Sequence, residues 1–153
     1  MAIKQLSEYL AKHKVKYDTI KHPTAYTAQQ VAASAHISGK QYAKTVIVRL
    51  DDKLAMLVMP GNERVDLQEL CEETGCEQAT IANEYEFSSE FKDCETGAMP
   101  PFGNLYGMDV YVAKDLTKDK EIAFNAGSHT ELIKMKFSDY KKLVKPKIID
   151  AMH

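Results

Sequence analysis

The sequence predicts an α+β fold in which helices surround a curved, mainly antiparallel mixed sheet, a partly open barrel, within a single domain spanning residues 1–153. Three observations carry this expectation. Apolar runs at residues 45–50 and 54–59 are separated only by Asp51, Asp52 and Lys53, a spacing that suits a hairpin and therefore antiparallel pairing. Strand-like and helix-like segments are interspersed along the chain. No internal repeat, low-complexity stretch or linker-like run divides it. At 153 residues, with 44% apolar and 27% charged, the chain can bury one core without a disulfide or metal staple.

The elements follow in order. Ile3, Leu6 and Leu10 share one face of an amphipathic helix over residues 3–13, with Lys and Glu opposite. An extended piece at 17–21 is broken by Pro23, and Thr27 with Gln30 forms a capping-box pattern that opens a helix through Ala35. The runs at 45–50 and 54–59 are the expected central strands. Asp66 with Glu69 starts another helix, ended by Gly75, and Asn83 caps a helical turn or two towards Phe91. After a loop at 97–107 come strands at 108–113 and 121–125 around a turn at 114–120, an edge strand at 131–136, and a closing helix at 138–144.

Several function classes fall away. The net charge of −2 excludes a uniformly basic nucleic-acid coat, so any RNA contact is local. GxGxxG, GxxxxGK[ST], GxSxG and HExxH are all absent. The histidines at 13, 22, 36, 129 and 153 have no metal-ligand spacing, so neither a metal nor a cofactor is expected. Cys71, Cys76 and Cys94 are odd in number and their close pair is C-x4-C, neither a redox motif nor a zinc knuckle. The N-terminal stretch is interrupted by charge too often for a signal peptide or a membrane span. A reduced, cytoplasmic protein with no membrane partner is expected.

Four stretches carry unusual local chemistry. Lys44 sits where an apolar strand begins, either solvated at a strand edge or held over a cleft to grip a phosphate or ribose oxygen. Asn125 to Glu131, NAGSHTE, is either a small-residue turn or a place where a ligand approaches the backbone beside His129, with Glu131 orienting that histidine or facing water. Lys21 to Ala32, KHPTAYTAQQVA, reads as a strand-to-helix turn, and its helix start also offers backbone N–H groups to a polar ligand. Gly97 to Gly107, GAMPPFGNLYG, is uncharged and stiffened by Pro100 and Pro101, either a rigid turn into the next strand or the wall of a pocket.

A lysine entering a central strand (AKTVIV), a Gly-x-x-x-Pro loop (GAMPP, continuing FG) and a late GSH resemble, in this order, the YbaK/EbsC family. That family comprises aminoacyl-tRNA editing domains, free-standing or inserted in bacterial prolyl-tRNA synthetases. The resemblance runs from His22-Pro23 through NAGSHTELIKM, almost the whole chain. It implies trans-editing: hydrolysis of the ester joining a wrong, small amino acid such as alanine or cysteine to the 3′-terminal adenosine of a tRNA, commonly tRNA(Pro). It also implies tRNA, through its aminoacyl end and acceptor stem, as partner, with prolyl-tRNA synthetase as a second. Carried over by position, Lys44 meets the terminal adenosine and His129 joins it as a catalytic residue. Gly97, Ala98, Met99, Pro100, Pro101, Phe102 and Gly103 line the amino-acid pocket with Gly127 and Ser128, and His22 and Thr27 flank it.

An aminoacyl ester is already activated, so such an enzyme needs to position water and stabilise an oxyanion more than to supply a strong nucleophile. Six lysines between 134 and 147 against the single acid Asp139 form either a patch for the acceptor stem or a solvated helix face and tail. A non-catalytic aminoacyl- or nucleotide-binding or regulatory module, and a hydrolase of another small ester, remain as alternatives.

Overall fold

A computed structural model describes residues 3–153. Helix α1 (Lys4–Lys12) buries Leu6 and Leu10. Strand β1 (Tyr17–Lys21) precedes α2 (Ala28–Ser34), which opens on the expected capping box: Thr27 Oγ1 accepts from the Gln30 N–H at 3.1 Å, and Gln30 Oε1 accepts from the Thr27 N–H at 3.4 Å. The hairpin is β2 (Ala43–Leu50) and β3 (Lys53–Pro60), paired antiparallel from Ala43↔Pro60 to Leu50↔Lys53. Asp66 caps α3 (Leu67–Thr74), which ends on Gly75, and Asn83 caps the short α4 (Glu84–Phe87), continued by a 3-10 turn at Ser88–Phe91. Strand β5 (Asp109–Ala113), a 3-10 turn at Lys114–Lys118, β6 (Glu121–Ser128), β7 (Glu131–Lys136) and α5 (Phe137–Val144) complete the expected set.

The α+β class and mainly antiparallel pairing stand, with the strands divided between two sheets that do not close into a barrel. One is antiparallel, β1-β7-β6; the other adds the short β4 (Ala79–Ile81) and β8 (Lys147–Ile149) at its edges and runs β4-β2-β3-β5-β8, antiparallel up to β3 and parallel from β3 through β8. Strands β4 and β8 have three residues each, too short for a periodicity to register. The segment read as an edge strand, β7, lies instead between β1 and β6, which explains why Glu131, Leu132, Ile133 and Met135 are all buried. The sheets meet where Tyr42 bridges to Ala123 at the entrance of β2.

The main core lies between the sheets: Ile47, Met56, Val58, Val110 and Val112 face Ile122, Phe124, Ile133 and Met135, closed by α1 and α5. Val48, Leu57, Met59 and Tyr111 pack on the opposite face of the larger sheet beneath Leu70 of α3. Val31 and Ala32 of α2 cover Tyr42, Ala123 and Leu132. These layers bring the start of β2, the end of β6 and the segment before α2 close together.

Candidate active site

The apolar loop divides in two. Residues 98–103 are buried, while Gly97 at its head and Asn104 and Gly107 towards its end are exposed. Phe102 explains the burial: its ring contacts Tyr9, Phe124 and Tyr140 at centroid distances of 6.1, 5.5 and 5.4 Å. The Tyr140 hydroxyl donates to the Pro101 carbonyl at 2.7 Å. Pro100, Pro101 and Phe102 therefore anchor the loop in the core. Gly103 fits for a similar reason, since a Cβ there would stand 2.7 Å from Val110 Cγ2.

Gly97 is held against the GSH segment by a compact hydrogen-bond set. The Glu95 N–H donates to the Gly127 carbonyl at 2.8 Å, and the Gly127 N–H to the Ala98 carbonyl at 3.0 Å. The His129 N–H donates to Glu95 Oε1 at 3.0 Å, and His129 Nε2 lies 2.9 Å from the Thr96 carbonyl. A carbonyl has no proton to give, so Nε2 carries the hydrogen and donates, which leaves Nδ1 as the lone-pair nitrogen of the neutral ring. Gly97 has φ +88°, and a Cβ on it would lie 3.5 Å from His129 Cε1. Among the described residues its N–H finds only the thioether of Met99, at 3.2 Å, a weak acceptor that a carbonyl oxygen outcompetes.

Ser128 lies at the end of β6, past a bulge between Asn125 and Ser128, so GSH is a kinked strand end instead of a free turn. Gly127 admits Ile3 there: a Cβ would meet Ile3 Cγ2. Behind it, the Tyr42 hydroxyl donates to Asn125 Oδ1, and Asn125 Nδ2 donates to the Ser128 carbonyl at 3.1 Å. The segment before α2 runs alongside: the His22 N–H donates to the Thr130 carbonyl at 2.9 Å, and the Ala25 N–H to the His129 carbonyl at 3.2 Å. His22 is buried, its Nδ1 donating to the Pro23 carbonyl at 2.7 Å. Thr27 spends its hydroxyl on the helix cap. Glu131 is buried opposite Lys21 and does not face water.

Lys44 is half-buried opposite Met59, and strand alternation places it on the face that carries Val46 and Val48. Burial lowers its pKa first, then the nearby Arg64 guanidinium, against a smaller opposing pull from Glu63. Among the described residues no hydrogen bond or ion pair joins Lys44 to the His129 cluster. A cavity of about 390 Å³ lies beside this strand end, lined by Lys40, Pro60, Asn62, Glu63, Asp115, Lys118 and Asp119. The cysteines are free, and two are held as thiols: hydrogen bonding to Cys76 pushes Cys71 up to about 11, and burial pushes Cys94 up to about 12.

Residues 22–143 match the family described as the aminoacyl-tRNA editing domain. The chain belongs to this family. Editing is ester hydrolysis, so this member is an aminoacyl-tRNA hydrolase, as its motifs led us to expect. Among curated proteins the editing domain is similar to the multifunctional Ser/Thr-tRNA deacylase ProXp-y of Escherichia coli (strain K12), 23% identical over 152 residues that cover 95% of this chain and 90% of the relative. Among solved structures it is similar to a candidate trans-editing enzyme for prolyl tRNA synthetase, with TM-score 0.83 at 17% identity, covering 98% of this chain and 96% of that one. The hypothetical protein APE2540 superposes with TM-score 0.88 at 18% identity, covering 98% and 100%. At these identities the structural likenesses show the shared fold. Among the described residues no helix is long and apolar enough to cross a membrane.

Sequence reasoning missed Glu95 and Thr96, which tie the editing domain's loop to His129, and Tyr26, whose ring leans on that histidine. An acid two positions before the Gly-x-x-x-Pro motif was the available signal for Glu95. For Tyr26 the available signal was an aromatic residue directly before the Thr27 cap in KHPTAYTAQQVA.

Proposed function

We propose that this editing domain, acting as one unit over residues 1–153, removes a small amino acid from mischarged tRNA in the cytoplasm, with tRNA(Pro) as a first substrate. One observation carries the reading: the Thr96 carbonyl ties up His129 Nε2, leaving Nδ1 as the lone-pair nitrogen of a ring whose Cε1 edge faces Gly97, and the Gly97 N–H has only a weak acceptor among the described residues. Nδ1 takes a proton from water as the water oxygen attacks the ester carbonyl. The Gly97 N–H stabilises the oxyanion that forms. Collapse of that intermediate releases the ribose oxygen, which recovers the proton from Nδ1.

The amino acids we propose are alanine, cysteine, serine and threonine. The first two follow from the resemblance of the motifs; the last two follow from the name of the Escherichia coli relative. Lys44 grips a phosphate or ribose oxygen of the terminal nucleotide; burial and the Arg64 charge lower its pKa, and an anion beside it offsets both. The exposed lysines 136, 141, 142, 145 and 147 suit the acceptor stem. Cooperation with prolyl-tRNA synthetase would follow from this substrate choice.

The test is single-turnover deacylation of a panel of tRNAs charged with these four amino acids, using wild type, Lys44→Ala and His129→Ala. Wild type is expected to hydrolyse at least one member rapidly, and both variants to lose most of that rate while remaining folded at the assay temperature. Full activity in His129→Ala would remove the proposed base.

A further inference from the structure

We infer that Tyr26 is the stacking platform for the base of the substrate's 3′-terminal nucleotide, an inference that rests on the aminoacyl-tRNA reading of the same site. Tyr26 is 70% exposed, belongs to no hydrophobic cluster, and its hydroxyl has no hydrogen-bond partner among the described residues. One part of the ring is nevertheless fixed: it lies 4.7 Å, centroid to centroid, from the His129 imidazole at an interplanar angle of 53°. The backbone beneath it is held as well. Its own N–H donates to Gln30 Oε1 at 3.3 Å, and the preceding Ala25 N–H donates to the His129 carbonyl at 3.2 Å.

A large aromatic ring left in water forgoes the stabilisation that burial provides, so its position has to be accounted for by something other than the core. Tyr85, 95% exposed, is a useful contrast, since it has no ring partner among the described residues. Tyr26 instead pairs with the residue that carries the free imidazole nitrogen of the site. An unpaired terminal base has two apolar faces and is joined through its own ribose to the ester that reacts. Single-stranded ends are commonly held by stacking on such rings, which accept any base because every base has a π face. A base on the outward side of Tyr26 brings its ribose towards His129 and Gly97. The ring thus sets where the ester lies along the His129 edge.

The experiment measures kcat and KM separately on one mischarged tRNA for wild type, Tyr26→Phe, Tyr26→Leu, Tyr26→Ala and Tyr85→Ala. In parallel, adenosine 5′-monophosphate and ribose 5-phosphate are titrated while the Tyr26 ring resonances are followed by NMR. Stacking of one base predicts a KM about ten- to hundredfold higher for Tyr26→Ala and Tyr26→Leu, with kcat within a fewfold of wild type. Tyr26→Phe and Tyr85→Ala keep the wild-type KM. The adenine nucleotide shifts the Tyr26 resonances and ribose 5-phosphate does not. An unchanged KM in the leucine and alanine variants, a fall in kcat alone, or equal shifts from both probes overturns the proposal; the second outcome makes Tyr26 a support for His129 only. A wild type that deacylates no tRNA yet binds the adenine nucleotide through Tyr26 overturns the deacylase reading and leaves the stacking site standing.

Discussion

Replacing Gly97 by alanine separates the loop's role in the site from its role in the fold. With φ at +88°, an L-residue at this position is strained by about 1–2 kcal/mol. The methyl itself does not collide with anything: it would lie 3.5 Å from His129 Cε1 and 3.9 Å from Nε2, ordinary contact distances. For a domain of this size the strain lowers Tm by about 2–8 °C, leaving the protein folded at assay temperature. The methyl does, however, occupy the space between the loop and the imidazole, displacing any ester that sits against both. A displacement of about 1 Å suffices for a hundredfold loss, so kcat/KM is expected to fall about ten- to hundredfold. Gly107, at the other end of the same loop, is the matched control: its φ is +69° and nothing lies within 4 Å of a Cβ built there. Gly107→Ala is expected to lose a similar amount of stability and to keep its activity. Thermal melts read the first quantity and deacylation kinetics the second. Equal activity loss in the two variants would mean that strain alone accounts for the effect, and full activity in Gly97→Ala would place the reacting ester elsewhere.

Two further predictions concern the surroundings of the site. Tyr140→Phe leaves the buried Pro101 carbonyl without its donor, an expected loss of about 1–3 kcal/mol that a urea titration reads as a lower midpoint at unchanged slope; an unchanged midpoint would mean that the bond does not hold the loop. Glu63 is held up to about 7, by burial first and then by the neighbouring Asp115. The native state therefore keeps a proton that the unfolded chain gives up at ordinary carboxylate pH. The associated stability is fully present below about 4.5 and is lost as pH rises through about 7. Asp115 is shifted down within the same pair, so its own contribution changes only below this window and leaves the loss in place, while solvent screening reduces the size of that loss. Between pH 5 and 8 the wild type should lose stability while Glu63→Gln gives a flatter curve; parallel curves would rule the pair out as the source.

Much of the local structure was legible in the sequence, because local rules generate it. Thr27 with Gln30, Asp66 and Asn83 each cap the helix their spacing announces, and the Asp51–Lys53 spacing makes the hairpin. The motif order Lys44, Gly97 to Pro101, Gly127 to His129 pointed to the family. Strand order was not legible, because pairing partners are distant in sequence: β7 became a central strand only when β1, more than a hundred positions earlier, docked on its free edge. The same distance hid the division of labour within GAMPPFGNLYG. Composition marked the stretch as unusual, but burial of Phe102 against Phe124 and Tyr140 makes residues 98–103 an anchor and leaves Gly97 exposed beside His129. By itself the sequence determined the residue types available for chemistry and the helices and hairpin that carry them. Only tertiary structure decided that Thr96 selects the His129 tautomer, that Glu95 ties the two loops together, and that Tyr26 leans on the imidazole. Each of those contacts joins segments about 30 to 100 positions apart, and only the packed core brings such segments within hydrogen-bonding reach.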